Sequence, residues 1–448
     1  MKQHLSIGFR LIRLLLFWCT GNVVTVLFRW NIAVEWKIVV GILLAIAFLF
    51  CQFFHLHTIA GERRLASLEH GCDLLRTSVV WFCLEFLTTG WLICFSIVPW
   101  WIQLVNLGVF GLLFWFTIFH SLLHIALHST QVKFLWYLAM FFLWWMPVLN
   151  LILAVHIYRT AKHEFQLENV KAMCNAVRKT SEICKTKYPI LLVHGIFFRD
   201  WQYFNYWGRI PAELIQNGAS VFYGRQQSAQ SISNSARELA IQIEAVCKAV
   251  GTEKVNIIAH SKGGLDCRCA MQEYGAAKYV SSLTTINTPH HGCPFVDDLL
   301  RRIPIKAACW VAERYNRIFR KLGDQNPDFL SGVRELTSEN CQKFNKAHPC
   351  LPNVAYFTVM SRMHSVFAAP FPLWVGYLLN KRHSGENDGL VPVSSAQLEN
   401  VPFFMIPDAG HRGISHGDMI DLNRENIPGF DVREWYSQFV QQLKQNGF

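Results

Sequence analysis

Charge is what the first third of this 448-residue chain has least of. Residues 38–57, 79–99, 104–127 and 134–157 each reach bilayer-spanning length with few ionisable side chains. They are too long, and too evenly apolar, for helices that bury one stripe in a soluble core. Four transmembrane helices are expected. Residues 11–28 are marginal, because Arg13 and the Gly21-Asn22 pair leave only a short clean stretch, so a fifth span or an interfacial helix stays open. No small-residue cleavage site follows Lys2, Arg10 and Arg13, and more spans come after them, so the segment is expected to belong to the mature protein.

Other absences narrow the field further. Internal repeats and low-complexity tracts are missing, so no solenoid or disordered linker is expected. The net charge of +11 is accompanied by no nucleic-acid motif, and the basic residues after the last apolar run suit an anionic membrane surface instead. Beyond the apolar region the cysteines are Cys174, Cys184, Cys247, Cys267, Cys269, Cys293, Cys309, Cys341 and Cys350, an odd number without a CxxC pair or metal-ligand spacing. That pattern suits free thiols in a reducing compartment. Cys267 and Cys269 read as packing residues.

Basic residues near the spans set the expected orientation. With four spans, one side holds Lys2, Arg10, Arg13, Arg29, Lys37, Arg159, Lys162 and Lys171, and the other holds Arg63, Arg64, Arg76 and Lys133. Eight against four places both termini in the cytoplasm. Five spans would reverse the side of the C-terminal region. The expected organisation is a membrane region over 1–158, a polar connector over 159–186 and a folded domain over 187–448.

After Arg159, β-rich segments alternate with amphipathic helical ones. Strands are expected at 190–194, 220–223, 254–259, 282–287, 354–360 and 403–407, with helices at 234–249 and 432–445 among those between and after them. Near-continuous apolar strands with intervening helices imply an α/β fold with a doubly wound, mostly parallel sheet. Residues 295–345 have no strand pattern. Arg301, Arg302, Lys306, Arg314, Arg317, Arg320 and Lys321 alternate there with apolar side chains, giving either a solvated helical face or an amphipathic lid resting on anionic lipid.

The stretch AHSKGG, residues 259–264, follows the apolar run VNII and precedes a helical pattern. Small residues two positions either side of Ser261 let a strand turn sharply into a helix with the serine exposed on the turn. A serine needs a base, and the base needs a carboxylate that fixes its tautomer. Asp388 in ENDGLVPVSSA and His416 in DAGHRGISHGDMIDL follow in the order Ser, Asp, His. His411 is an alternative base, and Glu386 and Asp408 are alternative acids. Backbone N–H groups of Ile196 and Lys262 are placed to hold an oxyanion. Phe197, Phe198, Trp201, Tyr203, Tyr206 and Trp207 form an aromatic set that is either core or the rim of an acyl-chain site, with Phe197, Trp201 and Tyr203 taken as substrate contacts. His290 and His291 read as structural.

From about Tyr188 onward the chain resembles the bacterial triacylglycerol lipases of the α/β-hydrolase fold. The likeness rests on YPILLVHG, YWGRIPAELIQNGASVF, KVNIIAHSKGGLDCR, LTTINTPHHG, NDGLVPVSSA and ISHGDMIDL. It implies Ser261 as nucleophile, Asp388 as acid and His416 as base, with Ile196 and Lys262 in the oxyanion positions. It also implies a lipid ester substrate handled without a cofactor. Secreted relatives often hold calcium; Asp418 matches one ligand position, but Leu422 stands where a polar ligand is expected, so no metal is assigned. The apolar N-terminal region has no counterpart in those secreted lipases.

Two function classes therefore compete. One is a membrane-anchored serine esterase or lipase. The other is a membrane transporter, sensor or assembly platform with a regulatory hydrolase-fold domain, motivated by Glu85 and by His120, His124 and His128 within apolar runs. Head group, acyl length and oligomeric state are not legible.

Overall fold

The computed structural model describes residues 2–55, 63–196, 205–227, 229–321 and 323–448, with side chains from Ile7 onward. The chain divides into two compact units, Met1–Cys174 and Asn175–Phe448.

Among its described residues the first unit is helical: α1 (Lys2–Gly21), α2 (Val23–Arg29), α3 (Val34–Phe53), α4 (Arg63–Cys94), α5 (Trp100–His128), α6 (Phe134–Phe142) and most of α7 (Pro147–Arg178), whose last turn belongs to the second unit. By length and composition α3, α4 and α5 are each able to cross a membrane. The marginal N-terminal stretch is helical but broken, with 64° between Ile7–Gly21 and Val23–Arg29. The Gly21-Asn22 pair marks the break, and Gly21 lies so close to Trp81 that a Cβ there would sit 2.9 Å from the ring.

The expected span at 134–157 is not one helix. Pro147 has no N–H to donate and disfavours helical geometry at the residue before it. The chain therefore stops at Phe142 and restarts at Pro147, while the Asn150 side-chain amide donates to the freed carbonyls of Leu143 (2.7 Å) and Met140 (3.3 Å). The segment expected as a connector begins as helix, since α7 runs on to Arg178.

In this unit the burial pattern is inverted. On α4 and α5 the buried positions include Glu69, His70, Asp73, Thr77, Ser78, Glu85, Gln103, Asn106, Thr117, His120 and Ser121, whereas Val79, Phe82, Phe86, Trp115 and Phe119 are exposed. Several of the polar groups pair with one another: Asn22 Nδ2 donates to Glu85 Oε2 at 2.6 Å, Gln52 Nε2 to Thr117 Oγ1 at 2.7 Å, and Arg13 Nη2 to Thr77 Oγ1 at 3.0 Å, while Arg13 Nε and Nη1 are buried without a partner.

The second unit is built on a six-stranded sheet. Its strands are β1 (Ile190–Val193), β2 (Val221–Tyr223), β3 (Val255–His260), β4 (Val280–Ile286), β5 (Ala355–Met360) and β6 (Phe403–Met405), in the spatial order β2-β1-β3-β4-β5-β6. Every pairing is parallel. The connecting helices are α8 (Ile210–Gln216), α9 (Ile232–Val250), α10 (Gly263–Glu273), α11 (Pro294–Arg302), α12 (Ile305–Lys321), α13 (Phe329–Arg334), α14 (Ser338–Ala347) and α15 (Leu373–Ser384), and α16 (Val432–Gln445) closes the chain.

Alternate strand residues face opposite ways, so a sheet covered on both faces needs apolar residues at nearly every position. Leu191, Val193, Val255 and Ile257 pack with Leu239 and Ile243 of α9 and with Leu265 and Met271 of α10. Ile190, Leu192 and Ile258 pack on the other face with Leu214 of α8 and with Tyr436 and Val440 of α16. This is the α/β-hydrolase arrangement. Helices α11 to α14 fill the segment at 295–345, and in α12 only Ala312 and Phe319 are buried. Its basic residues and its Ile305, Trp310 and Ile318 are all exposed, with the Arg314 guanidinium 4.2 Å from the Trp310 ring centre.

At the start of α10 the backbones crowd together, and a Cβ on Gly263 would lie 2.4 Å from the His194 carbonyl oxygen. That neighbour is backbone and has little room to move. Gly263→Ala is expected to destabilise the unit by about 1–3 kcal/mol, read as a lower midpoint in thermal unfolding of the purified chain; an unchanged midpoint means the approach is looser than the geometry describes.

Candidate active site

At the carboxyl edge of the sheet, β3 ends at His260 and α10 begins at Gly263. Ser261 lies between them with φ +56°, in the left-handed region that L-residues other than Asn and Asp rarely occupy. Its N–H donates to Ile286 O of β4 at 2.9 Å, and its carbonyl accepts from Thr288 Oγ1 at 2.8 Å. The turn is fixed from both neighbours. Glycine is needed around it: a Cβ on Gly195 would fall 2.7 Å from Ser261 Cβ, and one on Gly264 would fall 2.4 Å from Thr288 Oγ1.

Asp388 and His416 come from loops after α15 and β6 and meet over the sheet. His416 Nδ1 donates to Asp388 Oδ2 at 2.6 Å, which leaves Nε2 as the acceptor of the neutral ring. The other carboxylate oxygen, Asp388 Oδ1, accepts from the backbone N–H groups of Leu390 (2.9 Å) and Val391 (2.8 Å). His416 N donates to Asp388 O at 2.8 Å, so backbone and side chain hold the same pair. Asp388 is fully buried; Ser261 and His416 each keep 7% exposure. No hydrogen bond joins Ser261 Oγ to His416 among the described residues. Such contacts in unliganded sites commonly tighten only when substrate arrives.

The alternatives lie elsewhere. His411 is exposed. Glu386 accepts from Arg362 at 2.7 Å, and Asp408 pairs with Arg362 at 2.8 Å and His364 at 2.9 Å, which draws the Asp408 carboxyl down to about 2. His290 is buried between Arg268 and Thr285, and His291 meets Gln397 O. Asp418 is taken up by Arg412 and by the Ser415 N–H and hydroxyl, so its oxygens are engaged by protein donors.

The backbone N–H groups of Ile196 and Lys262 donate to no acceptor among the described residues, and both residues are buried. Two unclaimed donors beside a serine are what an oxyanion requires. Phe197, Phe198, Trp201 and Tyr203 lie outside the described residues. Tyr206 and Trp207 do not form a rim: they are 2% and 0% exposed, because they pack beneath the site with Tyr436 and Ile258.

Sequence reading missed what stands behind the imidazole. Tyr206 OH accepts from Gly195 N at 3.0 Å and reaches His260 Nδ1 at 2.7 Å, and the His260 ring centre is 4.4 Å from that of His416. Burial, and then the His416 imidazole, push His260 well below the usual histidine range, so it stays neutral. A neutral ring packed against His416 adds no repulsion when that residue takes up a proton. The signal was present in the His260-Ser261 neighbourhood, but nothing local indicated that Tyr206 folds back onto it. Lys262 was assigned only a backbone role, yet its Nζ forms a buried pair with Asp266 Oδ1 at 2.6 Å that ties the turn to the next turn of α10.

A model of the palmitoyl protein thioesterase family matches residues 189–328. A triacylglycerol lipase of Pseudarthrobacter phenanthrenivorans is 30% identical over 204 residues, which cover 41% of this chain and 63% of that protein. A triacylglycerol lipase of Burkholderia plantarii is also 30% identical over 204 residues, covering 41% of this chain and 56% of that protein. The chain thus spans less than two thirds of the length of the curated relatives it matches. Among solved structures, the mature form of a Bacillus licheniformis lipase is similar over 58% of this chain and 93% of its own, at 22% identity and a TM-score of 0.44.

Ser261→Ala and His416→Ala are each expected to remove most hydrolysis of a soluble ester, by up to roughly 10⁶-fold, and Asp388→Ala somewhat less. His411→Ala should be mild. Initial rates on purified protein check the series, and a dead His411→Ala beside an active His416→Ala reverses the assignment of the base.

Proposed function

We propose that this chain, whose C-terminal unit is an α/β-hydrolase of the lipase family, is a membrane-anchored serine hydrolase that cleaves acyl esters of lipids. The observation that carries the reading is the Asp388-held His416 imidazole over the same sheet edge that presents Ser261 on a left-handed turn. In this mechanism Ser261 Oγ attacks the acyl carbonyl as His416 Nε2 takes its proton. Asp388 stabilises the resulting imidazolium, and the Ile196 and Lys262 N–H groups receive the oxyanion. The imidazolium then protonates the leaving alcohol. Water, deprotonated by the same nitrogen, releases the acid from the acyl-enzyme.

Anchoring rests on the inverted burial of α4 and α5, since apolar faces turned outward over such lengths suit a hydrocarbon solvent. If the bent pair α1-α2 counts as one span beside α3, α4 and α5, both ends of the membrane region lie on one side. Lys2, Arg63, Arg64 and Lys133 flank that side, against Arg29 and Lys37 on the other. The catalytic unit is then cytoplasmic. It should resist protease added to intact cells or spheroplasts and keep its cysteines reduced; cleavage from outside reverses the topology.

The thioesterase family match favours a second substrate reading, an acyl thioester on a lipidated protein, reached by the same chemistry. Fluorophosphonate labelling of Ser261 tests catalysis for both. Lipid profiles of wild type against Ser261→Ala, compared with turnover of a palmitoylated peptide, separate them: a lipid ester that accumulates in the variant supports the first, and loss of peptide turnover alone supports the second.

In this mechanism α12 acts as the lid. Neutralising Arg314, Arg317 and Arg320 together removes charges each worth about 1 kcal/mol beside an anionic surface. Because the membrane helices already tether the unit, turnover on anionic vesicles should fall while a short soluble ester is cleaved nearly as before. Equal loss on both substrates ends the lid reading.

A further inference from the structure

Away from the serine turn, α10 carries a second group of chemically capable side chains. Cys269 and Glu273 are four residues apart, so they share one face of the helix. His348 arrives from the C-terminal end of α14 and meets them. The Cys269 sulfur, a Glu273 carboxylate oxygen and a His348 ring nitrogen all lie within 4.8 Å of one another. Ligands of one tetrahedral zinc ion stand roughly 3.5 Å apart, so small rotamer adjustments bring all three onto one ion.

The surroundings hold His348 as a ligand. His348 Nδ1 donates to the Phe344 carbonyl at 3.0 Å, because a carbonyl can only accept. That bond holds the ring and turns Nε2 toward Glu273 Oε1, 2.8 Å away, to which it donates when no ion is bound. A backbone acceptor on the far nitrogen is the usual outer support of a metal-bound histidine. The Phe344 ring stacks on the imidazole with centres 4.1 Å apart, and Arg268 donates to the His348 carbonyl, so ring plane and backbone are both held. Cys269 and His348 are buried, whereas the Glu273 side chain is 47% exposed and leaves an entry path for an ion and a position for water.

We propose that Cys269, Glu273 and His348 form a binding site for a borderline divalent cation, zinc above all, that clamps the end of α10 to the end of α14. Thiolate, carboxylate and neutral imidazole together carry two negative charges, which a dication neutralises. One proton leaves the Cys269 thiol and one leaves His348 Nε2, which donates to the Glu273 carboxylate before the ion arrives; both pass to bulk water as the metal bonds form, and no electron is transferred. Thiolate and imidazole disfavour calcium and magnesium, which take oxygen ligands. The site is independent of the proposed hydrolysis.

Cobalt(II) reports on such a site because a bound thiolate gives a sulfur-to-cobalt charge-transfer absorption. The full chain, purified without a histidine tag and stripped with chelator, should bind one equivalent of cobalt with that band, and zinc should displace it. Cys269→Ser should abolish the band and, like His348→Ala, weaken binding by more than about 100-fold. Glu273→Gln, at an exposed position, should weaken it at least about tenfold, and Cys350→Ser should leave the spectrum unchanged. Retained fluorophosphonate labelling of Ser261 verifies that each variant is folded. Absence of saturable binding by wild type, a wild-type spectrum without the thiolate band, or a band that persists in Cys269→Ser and vanishes in Cys350→Ser overturns the site.

Discussion

The left-handed backbone of Ser261 is the constraint on which the rest of the C-terminal unit depends. A non-glycine residue at φ +56° is strained by about 1–3 kcal/mol, and it persists only where its neighbours leave no other arrangement. Here β4 receives its N–H, Thr288 donates to its carbonyl, and Gly195, Gly263 and Gly264 supply the space. The same lack of side-chain bulk brings the loop after β1 against the turn. The backbone N–H groups of Ile196 and Lys262, which donate to no acceptor among the described residues, flank that approach.

Around that turn the polar groups are held in layers. The backbone N–H groups of Leu390 and Val391 fix Asp388, Asp388 fixes His416, and Tyr206 with His260 fills the space behind the ring. Beneath, Lys262 and Asp266 keep a buried ion pair, where burial pushes the Asp266 carboxyl up and the lysine opposes it. An ion pair that deep contributes little net stability, because desolvation offsets most of the attraction. Its value is positional: removing one partner would leave a buried charge at the first turn of α10.

The N-terminal unit follows the opposite rule. Ionisable residues in apolar helices mark functional sites by default, yet here most have a local partner. Glu85 is held by Asn22 and Asn106, and Glu69 and Asp73 share Arg10. The His120 and His124 Nε2 atoms face each other at 3.2 Å, and His128 bonds the His124 carbonyl. Partners of this kind give helix packing its specificity without requiring transport, although Arg13 Nε and Nη1, His70 Nδ1 and His124 Nδ1 are buried without one.

All six strands were legible in the sequence to within about two residues, because a sheet buried on both faces writes itself as short continuous apolar runs between turn residues. The Ser261 turn was legible for the same local reason: the steric demand of a sharp turn is expressed in the residues beside it. The order Ser, Asp, His came from the chain, whereas the Asp388–His416 contact is a tertiary fact. The sequence also marked Pro147 plainly, but hydropathy averaged over the run at 134–157 concealed that the proline splits it. Tyr206 and Trp207, readable either as a rim or as core, were placed as core only by the helices that cover them. Cys269, Glu273 and His348 escaped for a related reason. Two of them are one helical turn apart, but the third lies 75 residues beyond Glu273, and only the packing of α14 against the sheet brings its nitrogen to the other two.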